Sequence, residues 1–173
     1  MKMKFFMLAA VIISSKLQAQ DSTRLLKEIT ISSNKLQQKQ DQTGKVVSVI
    51  TKEDLAKKAG STLTQVLNEQ AGITINGALN NAGTNQTLYV RGAASGRTLV
   101  LLDGIPVYDP SFINAEFDLN LLSINDIDRI EISRGAQSTL YGSDAIAGVV
   151  NIITTQKDIT KPLNAKVSLT GGT

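Results

Sequence analysis

The residues from Tyr141 to Thr155 read YGSDAIAGVVNIITT, a loop of small residues followed by an apolar run. Glycine-containing loops beside strands bind phosphate or hold a nucleophile in many enzymes. A phosphate-binding loop needs Lys and then Ser or Thr directly after its last glycine, whereas Val149 and Val150 follow Gly148, and the G-x-G-x-x-G spacing is absent. The loop therefore predicts a turn that lies close to a neighbouring surface, and we expect that surface to lie outside this chain.

Other groups that could do catalytic chemistry are few. The sequence contains no Cys and no His, which excludes thiol chemistry, disulfides and histidine proton shuttles. The segment GAASG at 92–96 places its serine one position late for a nucleophile elbow. Nothing in the sequence makes paired carboxylates such as Asp126 with Asp128, or Asp103 with Asp109, converge on one point. We expect a protein that is not an enzyme and that has no metal site and no cofactor.

The N-terminal residues 1–20 have the pattern of a secretory signal peptide. Lys2 and Lys4 precede an apolar run, and Ala19 is a small residue suited to cleavage. The run is shorter than the roughly 20 residues of a membrane-spanning helix. Without this segment the chain has 15 basic and 15 acidic residues, so the formal charge of +3 belongs to the signal. We expect an exported protein with no nucleic-acid partner.

A polar, glutamine-rich segment at 21–44 is predicted to be flexible. Within it, residues 27–33 alternate polar residues with β-branched apolar residues, which predicts a short strand. Such a strand has little to pair with inside a flexible tail. We therefore expect it to add to the edge of another protein's sheet, where main-chain hydrogen bonds supply much of the affinity.

Short strands and helices alternate from residue 45 to residue 157. This pattern predicts a small α+β or α/β domain with a mixed four-stranded sheet, short helices and long loops. Ser61 is predicted to begin one of the helices. The two longest loops, 76–86 and 108–120, are polar. Residues 158–173 are predicted to be a linker followed by the first strand of a further unit.

Four segments of this domain occur in a characteristic order: LYVRG at 88–92, TLVLLDGIPV at 98–107, IDRIEISRG at 127–135 and YGSDAIAGVVNII at 141–153. Together they resemble the plug domain of TonB-dependent outer-membrane receptors, and the YGSDAIAGVVNIIT stretch is most similar to the cobalamin-transporter branch. The resemblance extends from about residue 27 to residue 155. It identifies the chain as an N-terminal fragment of such a receptor without its barrel.

The resemblance implies a function. The plug would lie in the barrel lumen in the outer membrane and gate energy-coupled uptake of a small metal chelate, such as cobalamin or a siderophore. Its partners would be a periplasmic TonB-type energy transducer and the β-barrel that encloses it. Residues 27–33 resemble the TonB box, the strand that the transducer recruits, with its centre at Glu28, Ile29, Thr30, Ile31 and Ser32.

The resemblance also implies two sets of contact residues. One set would face the barrel wall, and it consists of Arg91, Glu131 and Arg134. The other set would contact substrate from the two long loops at the apical end of the plug, and it consists of Asn80, Asn81, Asn85, Tyr108, Asp109 and Phe112.

Two other functions stay open at this level. The chain could act alone as a periplasmic binding or signalling module derived from a plug. It could also be an enzyme that uses the carboxylates clustered between Asp103 and Asp144.

Overall fold

The computed structural model describes residues 30–31, 38–39, 46–80, 83–84 and 86–156. The predicted signal peptide at 1–20, most of the segment at 21–44 and the predicted linker at 158–173 lie outside these residues. So do Glu28, Ile29 and Ser32 of the predicted TonB box, and Asn81 and Asn85 of the first long loop.

Short strands and helices follow one another along the chain, as the sequence predicts. The strands are β1 (Thr30–Ile31), β2 (Gln38–Lys39), β3 (Val47–Ile50), β4 (Ile73–Asn76), β5 (Thr87–Val90), β6 (Thr98–Leu102), β7 (Ile105–Pro106), β8 (Ile127–Arg134) and β9 (Gly148–Thr154). The α-helices are α1 (Lys52–Lys57), α2 (Leu63–Asn68) and α3 (Ser138–Tyr141), and 3-10 turns cover Leu119–Leu121, Ile124–Asp126 and Ser143–Ala145.

A mixed sheet in the order β3-β8-β9-β6-β7 forms the centre of the domain. The β6/β9 pair is parallel, and the other three pairs are antiparallel. The predicted mixed sheet with short helices is confirmed, although it holds five strands rather than four. The additional strand is β7, which contains two residues. The turn at Asp103–Gly104 returns the chain antiparallel to β6, and the pairing extends over two residues.

The main hydrophobic core lies on one face of this sheet. Ile130 and Ile132 of β8 and Ile152 of β9 are fully buried there, and they pack with Leu63 and Leu67 of α2. Because successive strand residues point to opposite faces, the residues between them line the second face. A smaller cluster packs on that second face, and it contains Leu99, Leu101, Ala145, Val149 and the half-buried Tyr141.

A threonine side chain caps the N-terminus of each of the two longer helices. Thr51 Oγ1 accepts a hydrogen bond from the N–H of Asp54 at the start of α1 (3.3 Å). Thr62, not the predicted Ser61, begins α2, where its Oγ1 accepts from the N–H of Gln65 and its own N–H donates to Gln65 Oε1 (3.2 and 3.0 Å). The prediction was wrong by one residue because the reciprocal capping box needs Gln or Glu three positions after the cap.

The predicted tail strand pairs within the chain, contrary to the expectation from sequence. Thr30 lies opposite Lys39 and Ile31 lies opposite Gln38 in an antiparallel ladder. A ladder this short has little stability by itself. It also occupies only one edge of β1, so the strand keeps a second edge at which another sheet could pair.

A second two-stranded ladder joins β4 to β5 beside the main sheet. It starts directly after Gly72, whose φ of +74° ends the connection from α2 in a conformation that favours glycine. The ladder carries the first long loop, residues 77–86. Across the described ranges, no helix has the length and apolar character needed to cross a membrane.

Candidate functional site

The first long loop leaves the β4–β5 ladder through a tight turn. The N–H of Asn80 donates to the carbonyl oxygen of Gly77 (3.0 Å), and Gly77 has a φ of +89°. Ala78 is buried under the turn, whereas the side chain of Leu79 is 82 % exposed. The turn therefore projects an apolar side chain and an amide side chain away from the core.

The second long loop follows β7 and is shaped by Asp109. The Oδ1 atom of Asp109 accepts a hydrogen bond from the N–H of Ser111 (2.8 Å). Hydrogen bonds from Ser111 hold the pKa of Asp109 below its usual value, so this carboxylate stays charged. On either side of this turn, Tyr108 and Ile113 are 65 % and 103 % exposed. Exposed large apolar side chains in a loop indicate a contact surface.

A hydrogen bond joins the two long loops. Asn120 Nδ2 donates to the carbonyl oxygen of Thr84 in the first loop (3.4 Å). Asn114 Nδ2 donates to Ser95 Oγ (2.9 Å), which ties the second loop to the turn before β6. Between the second loop and β6 lies a cleft of about 530 Å³, whose lining includes Gln86, Thr98, Tyr108, Asn114, Glu116 and Asp144.

The cleft contains only part of the predicted substrate-binding set. Tyr108 lines it, whereas Asn80, Asp109 and Phe112 lie in the adjoining loops and do not. Gln86, Thr98 and Glu116 were missed. Thr98 is the first residue of β6 and lies opposite Gly148 of β9. This register depends on parallel pairing between two strands that are far apart in the sequence. Sequence alone carries no signal for that contact.

Two polar atoms of the cleft residues are buried without a partner. Gln86 donates from Nε2 to the carbonyl oxygen of Gly77 (3.3 Å), but its Oε1 atom accepts from no described residue. The same holds for Thr98 Oγ1. A buried polar atom without a partner destabilises a fold by about 1–3 kcal/mol, so each of these two oxygens requires an explanation.

Arg91 and Arg134 lie together beside Gly72, at the opposite end of β4 from the first long loop. A Cβ atom at Gly72 would lie 3.5 Å from Arg91 Cγ and 4.0 Å from Arg134 Nε. Arg134 donates from Nε to the carbonyl oxygen of Ala71 (3.0 Å) and from a terminal nitrogen to Ser48 Oγ. Burial lowers the pKa of Arg134, and the like charge of Arg91 lowers it further. No described carboxylate forms an ion pair with either arginine.

Glu131, by contrast, does not face outward, and its prediction as a barrel-facing residue was wrong. It is fully buried in β8. Its Oε1 atom accepts from Arg129 Nε (3.0 Å) and its Oε2 atom accepts from Asn151 Nδ2 (3.4 Å). Asn151 Oδ1 in turn accepts from the N–H of Gly104 (3.1 Å). The residue connects three elements of this chain, because a buried charge requires such partners.

Replacing Glu131 by Gln is expected to lower the free energy of unfolding by about 1–2 kcal/mol, because the hydrogen bond from Arg129 loses its charge assistance. Urea denaturation of the 173-residue chain measures this effect. Asp126→Asn is the matched control, since Asp126 is exposed and its change should stay within about 0.5 kcal/mol. Equal stability of the two variants would contradict a structural role for Glu131.

The loop YGSDAIAGVV lies close to a surface that belongs to this chain, contrary to expectation. A Cβ atom at Gly148 would lie 2.5 Å from the carbonyl oxygen of Ser133, so β8 is the neighbouring surface. Gly142 has a φ of +87°, which lets the loop turn back after α3. The loop therefore joins two strands of the sheet, and its glycines allow close contact between backbones.

The carboxylates considered for catalysis are held by separate partners. Asp103 accepts from the N–H and the hydroxyl of Thr154 (2.8 and 2.7 Å), and Asp128 pairs with Lys52 and Arg129. Within the part of the chain that the structure describes, no group of three or more acidic side chains could hold a metal ion.

Comparison with known proteins gives a consistent family. The model of the TonB-dependent receptor plug domain matches residues 39–149. The vitamin B12 transporter BtuB of Vibrio cholerae is 38 % identical over 128 residues, which are 73 % of this chain and 20 % of that protein. The chain thus spans about a fifth of the length of the curated relatives it matches.

Solved structures show the same similarity. The ferric enterobactin receptor PfeA of Pseudomonas aeruginosa is 33 % identical with a TM-score of 0.54, over 67 % of this chain and 18 % of its own. The siderophore receptor PirA of Acinetobacter baumannii is 34 % identical with a TM-score of 0.53, over 64 % of this chain and 17 % of its own. These relatives are transporters and receptors rather than enzymes.

Proposed function

Because this chain belongs to the plug-domain family of TonB-dependent receptors, we propose that it is the plug of an outer-membrane receptor and gates energy-coupled uptake of a metal chelate. The ligand would be of the cobalamin or siderophore class, as the names of the relatives indicate. The protein would be exported by its signal peptide and would lie in the lumen of a barrel.

The meeting of the two long loops is the observation that carries this proposal. A hydrogen bond from Asn120 to Thr84 joins them, and they expose apolar as well as asparagine side chains, namely Leu79, Tyr108, Ile113, Asn80, Asn114 and Asn120. A surface of this mixed character suits a ligand that is both apolar and rich in hydrogen-bonding groups. We propose that Asn80, Asn81, Asn85, Tyr108, Asp109 and Phe112 contact the ligand from these loops.

The arginine pair suits an enclosing barrel. Two neighbouring guanidinium groups repel each other. Carboxylates on an enclosing barrel wall would offset that repulsion by forming bidentate hydrogen bonds with them. We propose that Arg91 and Arg134 form such contacts. Their position on one side of the β4–β5 ladder, away from the apical loops, leaves the loops free for the ligand.

The tail strand suits recruitment by a periplasmic energy transducer. A short strand that pairs through two residues with Gln38–Lys39 opens at little cost and presents main-chain donors and acceptors to another sheet. We propose that Glu28, Ile29, Thr30, Ile31 and Ser32 form the strand that the transducer recruits. A force on this tail would then act on β3 and on the central sheet to which β3 belongs.

Uptake and binding by the complete receptor separate the parts of this proposal. In cells with an energised transducer, labelled chelate should bind and accumulate. In cells without the transducer, the receptor should still bind chelate at saturating concentration and accumulation should stop, because the ligand surface and the recruited strand lie at different places in the chain. Accumulation that is independent of the transducer would contradict the proposal, as would a receptor that binds no chelate.

A further inference from the structure

The cleft beneath the second long loop has a chemistry that distinguishes between classes of ligand. We infer that it takes a neutral or cationic ligand group carrying N–H or O–H donors, such as the amide side chains of a corrinoid, and that it disfavours polyanionic iron chelates. The inference rests on the proposed function, since it assigns the substrate class of the same apical surface. The names of the relatives give no role to the cleft residues on which this inference depends.

The charge of the two loops is the first observation. Residues 76–90 carry no charged side chain. Residues 105–122 carry three carboxylates, those of Asp109, Glu116 and Asp118, and no Lys or Arg. Of these, Glu116 lines the cleft, together with Asp144 from the turn after α3. A ligand with several negative charges would meet repulsion from the two carboxylates that line the cleft.

The hydrogen-bonding capacity of the cleft is the second observation. Among the described residues that line it, no Lys or Arg occurs, and the carboxylates can only accept. Gln86 Oε1 and Thr98 Oγ1 add two buried oxygens that accept from no described residue. Both residues line the cleft, so a donor on the ligand that reached either oxygen would satisfy it. The site therefore matches ligand groups that donate.

Primary amides fulfil both conditions, because they are neutral and each carries two N–H donors. Apolar lining residues such as Leu88, Val100 and Phe117 would contact the rest of a large ring-shaped ligand. A ferric tris-catecholate has three negative charges and presents acceptors, so it meets neither condition. The chemistry of the cleft thus distinguishes between corrinoids and ferric siderophores, the two ligand classes that appear in the names of the relatives.

The test uses the complete receptor with two probes, cyanocobalamin as a neutral amide-rich corrinoid and a ferric tris-catecholate as a trianion. The unchanged receptor should bind the corrinoid more tightly at every ionic strength. Glu116→Gln should raise the affinity for the trianion by about fivefold at low ionic strength and should not raise corrinoid affinity, since the variant loses a charged acceptor. A receptor that binds the trianion at least as tightly as the corrinoid would overturn the inference.

Thr98→Val supplies a variant that tests the unpartnered oxygen without a change of shape. It should lower corrinoid affinity by about three- to tenfold, since the donor on the ligand loses its acceptor. It should also raise the melting temperature of the ligand-free protein, because a buried hydroxyl without a partner is replaced by a methyl group. Unchanged corrinoid affinity would overturn the role of Thr98. Failure of both probes to bind would instead count against the proposed function.

Discussion

Replacing Ile29 by proline is expected to abolish energised uptake by the complete receptor and to leave ligand binding intact. Proline has no N–H, so the strand at 27–33 would lose a donor to any sheet that it joins. Thr30 and Ile31, which follow directly, form a short strand. Uptake should fall to the level seen without a transducer, whereas equilibrium binding of labelled chelate to the purified receptor, measured without the transducer, should not change.

The matched control is Gln42→Pro, which places the same ring in the tail but outside both β1 and β2. It should retain uptake, because the strand keeps all its main-chain donors. Equal loss of uptake in the two variants would indicate that the tail must only be flexible. Loss of binding along with uptake in Ile29→Pro would contradict recruitment through strand addition.

Replacing Gly148 by valine is expected to lower the free energy of unfolding by about 3 kcal/mol, at the upper end of the range for an added side chain in a packed site. The first carbon alone would lie 2.5 Å from the carbonyl oxygen of Ser133. That oxygen belongs to β8, which pairs with β9 on one side and with β3 on the other. The sheet cannot move away from the new side chain without breaking one of these ladders.

Gly104→Ala is the control that separates collision from backbone strain. Gly104 has a φ of +83°, and an added Cβ atom would meet nothing within 4 Å. Its change should cost about 1 kcal/mol, from the left-handed conformation alone. Urea denaturation of the chain measures both variants. A Gly148→Val variant that is no less stable than Gly104→Ala would contradict the close contact between β8 and β9.

The elements of the fold could be predicted because their signals are local. The alternation of Ile130, Glu131 and Ile132 indicates a strand with two unlike faces, and Gly72 marks the end of the segment after α2. The short strand β7 was missed, since a two-residue strand has no periodicity to detect. The strand in the tail was predicted, but its partner β2 was not. What decides them is pairing, which depends on the rest of the fold.

The site could be predicted less completely, because it too depends on pairing between segments that lie far apart in the sequence. Tyr108 was predicted as a contact residue because its loop resembles an apical loop of the plug family, and it lines the cleft. Thr98 lies in the cleft because β6 pairs with β9. Gln86 lies there because the second long loop contacts the first. Glu131 was placed on the wrong surface, because its buried partners Arg129 and Asn151 become neighbours only through the β8/β9 register.

The proposed function requires coupling between the apical loops and the tail strand. The most direct test measures how each of the two ligands, chelate and transducer, changes the affinity of the receptor for the other. Ligand at saturating concentration should raise the affinity of the complete receptor for the soluble domain of the transducer, by about five- to 150-fold if the coupling is of ordinary strength. The transducer domain should raise ligand affinity by the same factor, because coupling free energies are reciprocal. Affinities that do not change in either direction would contradict a plug that transmits ligand binding to its tail.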